Sequence, residues 1–227
     1  DFSSLCSRIV FRNAIGYDYP DFGRDLGIMI MGDLFPTREG FSRVSYNLSL
    51  TNGHLPSIDD NNKSKEVQGV VFYRPLEFMN IKAGYNFGEY TGDKNPEGRK
   101  YQPMHRVVAG IWYDNPKGPD IRGEYGHCIA RHKGGDIANE STFYILAAWH
   151  AGRFLPVMRY EYYRNKVDKN AINANYDKYL IGLNFTACKN IKLQANYTLT
   201  AYTRQSRTEN DGHRTSDQIQ IMGVFSF

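Results

Sequence analysis

Basic side chains recur along the chain: Arg43, Lys82, Arg106, Arg122, Arg159, Lys178 and Lys192. Fixed cations along a water-filled passage with low-dielectric walls raise the local anion concentration and favour anion transit. Arginine adds planar donors that match phosphate oxygens. Glu124 and Glu161 stand two residues from Arg122 and Arg159, so mutual neutralisation is the competing role for that pair of arginines. Lys82 and Arg159 fall near the middle of their segments and are the best candidates to act on a passing solute. Arg8 and Arg12 sit in a polar stretch near the start. They are either residues that narrow the passage or solvated charges on a surface loop.

Other chemistry is weakly represented. His127, Cys128 and His132 do not follow a recognised metal spacing, and no glycine-rich loop follows a strand to open a helix. Ser, His and Asp occur, but no spacing assembles a nucleophile with a base. The reading is therefore no enzyme, no cofactor and no metal. A formal charge of +4 is too small to indicate nucleic acid. Cys6, Cys128 and Cys188 suggest no disulfide framework.

The elements that must carry the basic residues are strands. Ile191, Leu193, Ala195, Tyr197 and Leu199 alternate with Lys192, Gln194, Asn196, Thr198 and Thr200. Met79, Ile81, Ala83, Tyr85 and Phe87 alternate in the same way with Asn80, Lys82, Gly84, Asn86 and Gly88. A two-residue period means one apolar face. Applied throughout, it predicts about eleven strands, near 24–33, 40–50, 67–74, 78–88, 104–113, 119–128, 141–149, 154–163, 177–186, 191–200 and 217–227. Short turns alternate with long polar loops at 51–66, 89–103, 129–140, 164–176 and 201–216. The opposite parity to the apolar residues holds the basic set. Three Asn-x-Ser/Thr sequons, at Asn47, Asn184 and Asn196, fall inside strands and read as polar-face residues.

No stretch reaches the roughly twenty consecutive apolar residues of a spanning helix, and the mean hydropathy is negative. Strands of about nine to eleven residues do suit a tilted membrane crossing. Tyr85, Phe87, Tyr113, Tyr125, Trp149, Tyr160, Tyr162 and Tyr197 lie at apolar-face parity near strand ends, as interfacial girdles do. Trp112 and Tyr144 are the main aromatics of polar-face parity, where a track for sugars would need them.

The final segment carries Ile219, Ile221, Gly223, Phe225 and Phe227 on one face. It resembles the closing strand of a Gram-negative outer-membrane β-barrel, with Ile221 where a polar residue is usual. The fold expected is all-β, an antiparallel transmembrane β-barrel. Because bacterial single-chain barrels have an even strand number, the chain reads as the later part of a sixteen-stranded barrel. Residues 1–22 form an inward or external loop, and 23–227 carry the strands.

Gly23-Arg24-Asp25-Leu26-Gly27-Ile28, followed by Tyr46-Asn47-Leu48-Ser49-Leu50-Thr51-Asn52-Gly53, resembles the phosphate- and polyphosphate-selective porin family. The resemblance implies a trimeric outer-membrane channel for small anions such as phosphate, in contact with lipid and lipopolysaccharide. It also makes Arg8 and Arg12 constriction-loop candidates. The alternatives are a general or oligosaccharide diffusion porin, and a partial barrel with a structural or assembly role.

Overall fold

The computed structural model describes residues 27–51, 65–89, 103–132, 135–167, 175–203 and 212–225, with side chains at all of these except 132–138. Among the described residues the chain forms strands and no helix. They are β1 (Gly27–Pro36), β2 (Ser42–Thr51), β3 (Glu66–Leu76), β4 (Met79–Glu89), β5 (Pro103–Asp114), β6 (Pro119–His132), β7 (Gly135–Trp149), β8 (Phe154–Asn165), β9 (Tyr176–Cys188), β10 (Ile191–Tyr202) and β11 (Thr215–Phe225). They make one 11-stranded sheet in which every strand pairs with its sequence neighbour. Where the register is resolved, the pairing is antiparallel. The strand set and the all-β antiparallel class expected from alternation are therefore both present.

Two expected boundaries change. β1 runs on to Pro36, which pairs with Ser42. Proline lacks the N–H that an inner strand must donate, but an edge strand tolerates it. The segment 129–140, expected as a long loop, is mostly strand, because β6 reaches His132 and β7 begins at Gly135. The alternation of short and long connections fails at that hairpin. At roughly 3.3 Å per residue, strands of 14 and 15 residues outrun the hydrocarbon layer. Beyond it both faces can be polar, so hydrophobic alternation fades although pairing continues.

Two compact units are distinguishable: Asp1–Gly110 with Glu124–Thr142, and Ile111–Gly123 with Phe143–Phe227. Within the first, directly opposed residues share a face. Ile28, Leu50, Val67 and Phe87 form one apolar row, and Ile30, Leu48, Gly69 and Tyr85 the next. This assigns the faces of β1: Ile28 and Ile30 belong to the apolar face. Met29, Met31 and Asp33 belong to the other, where Ser45 Oγ donates to Asp33 Oδ1 at 2.5 Å.

In the second unit the row Met158, Ile181, Tyr197 and Ile219 crosses β8 to β11. All four are exposed, Ile181 at 62%. Ile221 reaches 79%. An apolar face this continuous and uncovered is where a lipid-contacting surface belongs. Tyr85, Tyr125, Trp149 and Tyr197 are exposed on the same parity.

Gly84 sits on the polar face in front of two stiff side chains. A Cβ there would lie 2.8 Å from Val108 Cγ1 and 3.2 Å from Val70 Cγ2. Valine has one strongly preferred rotamer and yields poorly. Gly84→Ala is therefore expected to lose about 1–3 kcal/mol of folding stability, measured by urea titration of the protein refolded into lipid vesicles.

Candidate functional site

The polar face is built by parity and then tied by ion pairs. In the first unit, Glu66 opens β3, and its side chain lies over Gly88, where a Cβ would meet Glu66 Cγ at 2.5 Å. Arg106 Nη1 and Nη2 donate to its two oxygens at 3.3 Å each, and Asn86 Nδ2 donates to Oε2 at 3.0 Å. Arg106 is only 2% exposed. Lys82 Nζ lies 3.1 Å from Glu124 Oε1, and both side chains are buried. Arg43, at the other end of β2, is exposed and donates to Pro75 O at 3.4 Å.

The second unit holds two further groups. Arg122 Nε and Nη2 donate to Asp120 at 2.7 and 2.8 Å, and Nη2 also reaches Asp114 at 3.1 Å. Arg159 Nη2 meets Glu161 Oε2 at 2.7 Å, and Lys178 Nζ stands 3.7 Å from Glu161 Oε1. Around Glu161 the cations are more exposed than the acid they share, whereas Arg122 is more exposed than Asp120 but less than Asp114. Arg122 is 28% exposed against 8% for Asp120, Arg159 is 28% against 4% for Glu161, and Lys178 is 34%. Lys192 is exposed on the same face of β10, opposite Thr186 and Val224.

Sequence reasoning named the cations but missed most of their acids. Glu66 falls in the segment 51–66, which reads as loop, and Asp114 lies at a strand end. Asp120 carried a readable signal, two residues from Arg122 on its own face. The pair expected between Arg159 and Glu161 exists. Glu124 pairs with Lys82, and Arg122 meets Asp120 and Asp114. The polar face is thus closer to balance than the sequence count suggested. Arg8 and Arg12 lie outside the described residues, as do 1–22, Ser226 and Phe227.

The histidine–cysteine cluster dissolves by parity. Cys128 is buried on the polar face, whereas His127 takes the opposite parity; the side chain of His132 is outside the described set. Asp114, Asp120 and His150 bring ligand atoms within 4.8 Å of one another, but the Arg122 guanidinium already bonds both carboxylates. Trp112 and Tyr144 are buried, so neither presents an open stacking surface. Asn47, Asn184 and Asn196 lie within β2, β9 and β10 on the polar face.

No family model and no curated protein matches the chain. Solved structures do resemble it. The anion-selective porin from Comamonas acidovorans has a TM-score of 0.54 at 12% identity, covering 71% of this chain and 46% of that one. A porin refined at 1.8 Å gives 0.58 at 6% identity, covering 87% and 60%. A loop-deletion form of OmpT, an outer membrane protein of Vibrio cholerae, gives 0.55 at 12%, covering 88% and 62%. The chain spans about half to three-fifths of the length of these structures. At such identities the likeness establishes the fold alone: that of the outer-membrane β-barrel. The bacterial outer membrane, expected as the location, accords with this fold and with the uncovered apolar face.

Proposed function

We propose that the chain forms wall of a passive diffusion channel in the bacterial outer membrane, and that the channel favours small anions such as phosphate. Arg43, Lys82, Arg106, Arg122, Arg159, Lys178 and Lys192 line its lumen, with Arg8 and Arg12 on the constricting loop. The observation that carries the anion preference is the charge arrangement on β8 and β9. Glu161 is 4% exposed, whereas Arg159 and Lys178, which share it, are 28% and 34% exposed, so two cations face solvent over one buried acid. Fixed positive charge facing water in a low-dielectric channel concentrates anions. The anion selectivity of the Comamonas acidovorans porin is a property of that protein and agrees with this reading.

Reversal potentials in planar bilayers under a potassium chloride gradient test it. The native channel is expected to prefer chloride. Exchanging Arg159 and Lys178 for Glu together is expected to shift the chloride-to-potassium permeability ratio toward potassium by about tenfold. A native channel that prefers potassium would overturn the anion reading.

The buried pairs Lys82–Glu124 and Arg106–Glu66 support a second reading, a general channel for neutral solutes or oligosaccharides. Liposome swelling with sugars at a rate indifferent to added phosphate would favour it. In either case the apolar face meets outer-membrane lipid and lipopolysaccharide. The resemblance to porins supports a homotrimer. Among the described residues, the Arg122 guanidinium bonds the acids beside His150.

A further inference from the structure

On the polar face of β7 to β9, Glu161 uses both carboxylate oxygens. Oε2 meets Arg159 Nη2 at 2.7 Å, while Oε1 accepts from the Tyr176 hydroxyl at 3.0 Å and faces Lys178 Nζ at 3.7 Å. Each cation also rests on a ring. Arg159 Cζ lies 4.4 Å from the Tyr144 centroid and Lys178 Nζ lies 4.9 Å from that of Tyr176. Cation–π contact and the shared carboxylate hold two positive groups side by side without removing them from water.

Aliphatic side chains adjoin them on the same face. Arg159 opposes Leu180, Val157 opposes Gly182, and Leu155 opposes Asn184. Same-face residues along a strand stand roughly 7 Å apart. Leu155, Val157 and Leu180 are all half-buried on this face, and the Asn196 side chain lies over Gly182 at the edge of this group. A guanidinium and an ammonium therefore border an aliphatic patch. Inorganic phosphate would gain nothing from that patch.

We propose that Arg159 and Lys178, with Leu155, Val157 and Leu180, form a subsite for organic monocarboxylates. The carboxylate faces the two cations and the hydrocarbon tail lies along the aliphatic patch. This deepens the channel reading above and rests on it.

Hexanoate and acetate are suitable probes, because they share a charge and differ only in apolar length. In planar bilayers containing the purified protein, bi-ionic potentials against chloride give their relative permeabilities. Free mobility alone makes hexanoate the slower ion. The subsite is expected to reverse that order, raising hexanoate over acetate by about threefold, since an open wall covers only part of the tail. Val157→Ser with Leu180→Ser is expected to restore the mobility order while leaving the chloride-to-potassium ratio unchanged. Val157→Thr alone, nearly isosteric, should do so in part. Hexanoate slower than acetate in the native channel would overturn the subsite while leaving the anion preference standing. The same holds if the native order survives the serine pair. Preference for potassium over chloride would overturn the channel reading and the subsite with it.

Discussion

Replacing Ile181 with Arg is expected to lower folding stability in lipid vesicles by about 2–4 kcal/mol, the cost of a basic residue on the lipid face near the bilayer midplane. Ile181 lies midway along β9, 62% exposed, between Met158 and Tyr197. On a water-facing surface the same exchange would change stability by no more than about 0.5 kcal/mol. The two environments predict clearly different results from one substitution. Gln220→Arg is the control. Gln220 opposes Asn196 on the other face of β10 and β11, and there the added charge is expected to stay within about 0.5 kcal/mol. Urea titrations of the refolded protein, followed by tryptophan fluorescence and gel mobility, measure both. Equal tolerance of the two arginines would sink the lipid assignment.

Removing the Glu66 carboxylate is the second large effect. Glu66→Ala leaves the Arg106 guanidinium, 2% exposed, without the acid that receives both its terminal nitrogens. Stranding one member of a buried pair costs about 3–5 kcal/mol. Asn86 loses its acceptor in the same step. The double variant Glu66→Ala with Arg106→Met is expected to recover part of the loss, since it removes the stranded charge but leaves the Glu66 volume unfilled. A buried ion pair replaced by apolar groups of similar volume is often close to neutral. Failure of the double variant to recover would mean that Glu66 acts mainly by packing over Gly88.

Much of the fold was legible because the sheet obeys a local rule. Residues two apart share a face, and a lipid-contacting face admits few polar groups. Thus Ile191 to Thr200 announced β10, and Ile81 to Phe87 announced most of β4. Where that solvent constraint lapses, the rule loses its signal. β6 and β7 continue past their apolar positions to His132 and back from Gly135, and the sequence reads as loop there. The first strand was itself legible, but apolar residues on both its faces, Ile28 to Met31, leave no contrast to assign them.

In most strands the sequence by itself determined which residues share the apolar face and which basic groups take the opposite parity, because both follow from alternation along a strand. Only tertiary structure decided what each charge meets. Arg106 finds Glu66 forty residues away, and Lys82 finds Glu124 across other strands. Partners of that kind are set by strand register, a relation between segments that no local period encodes.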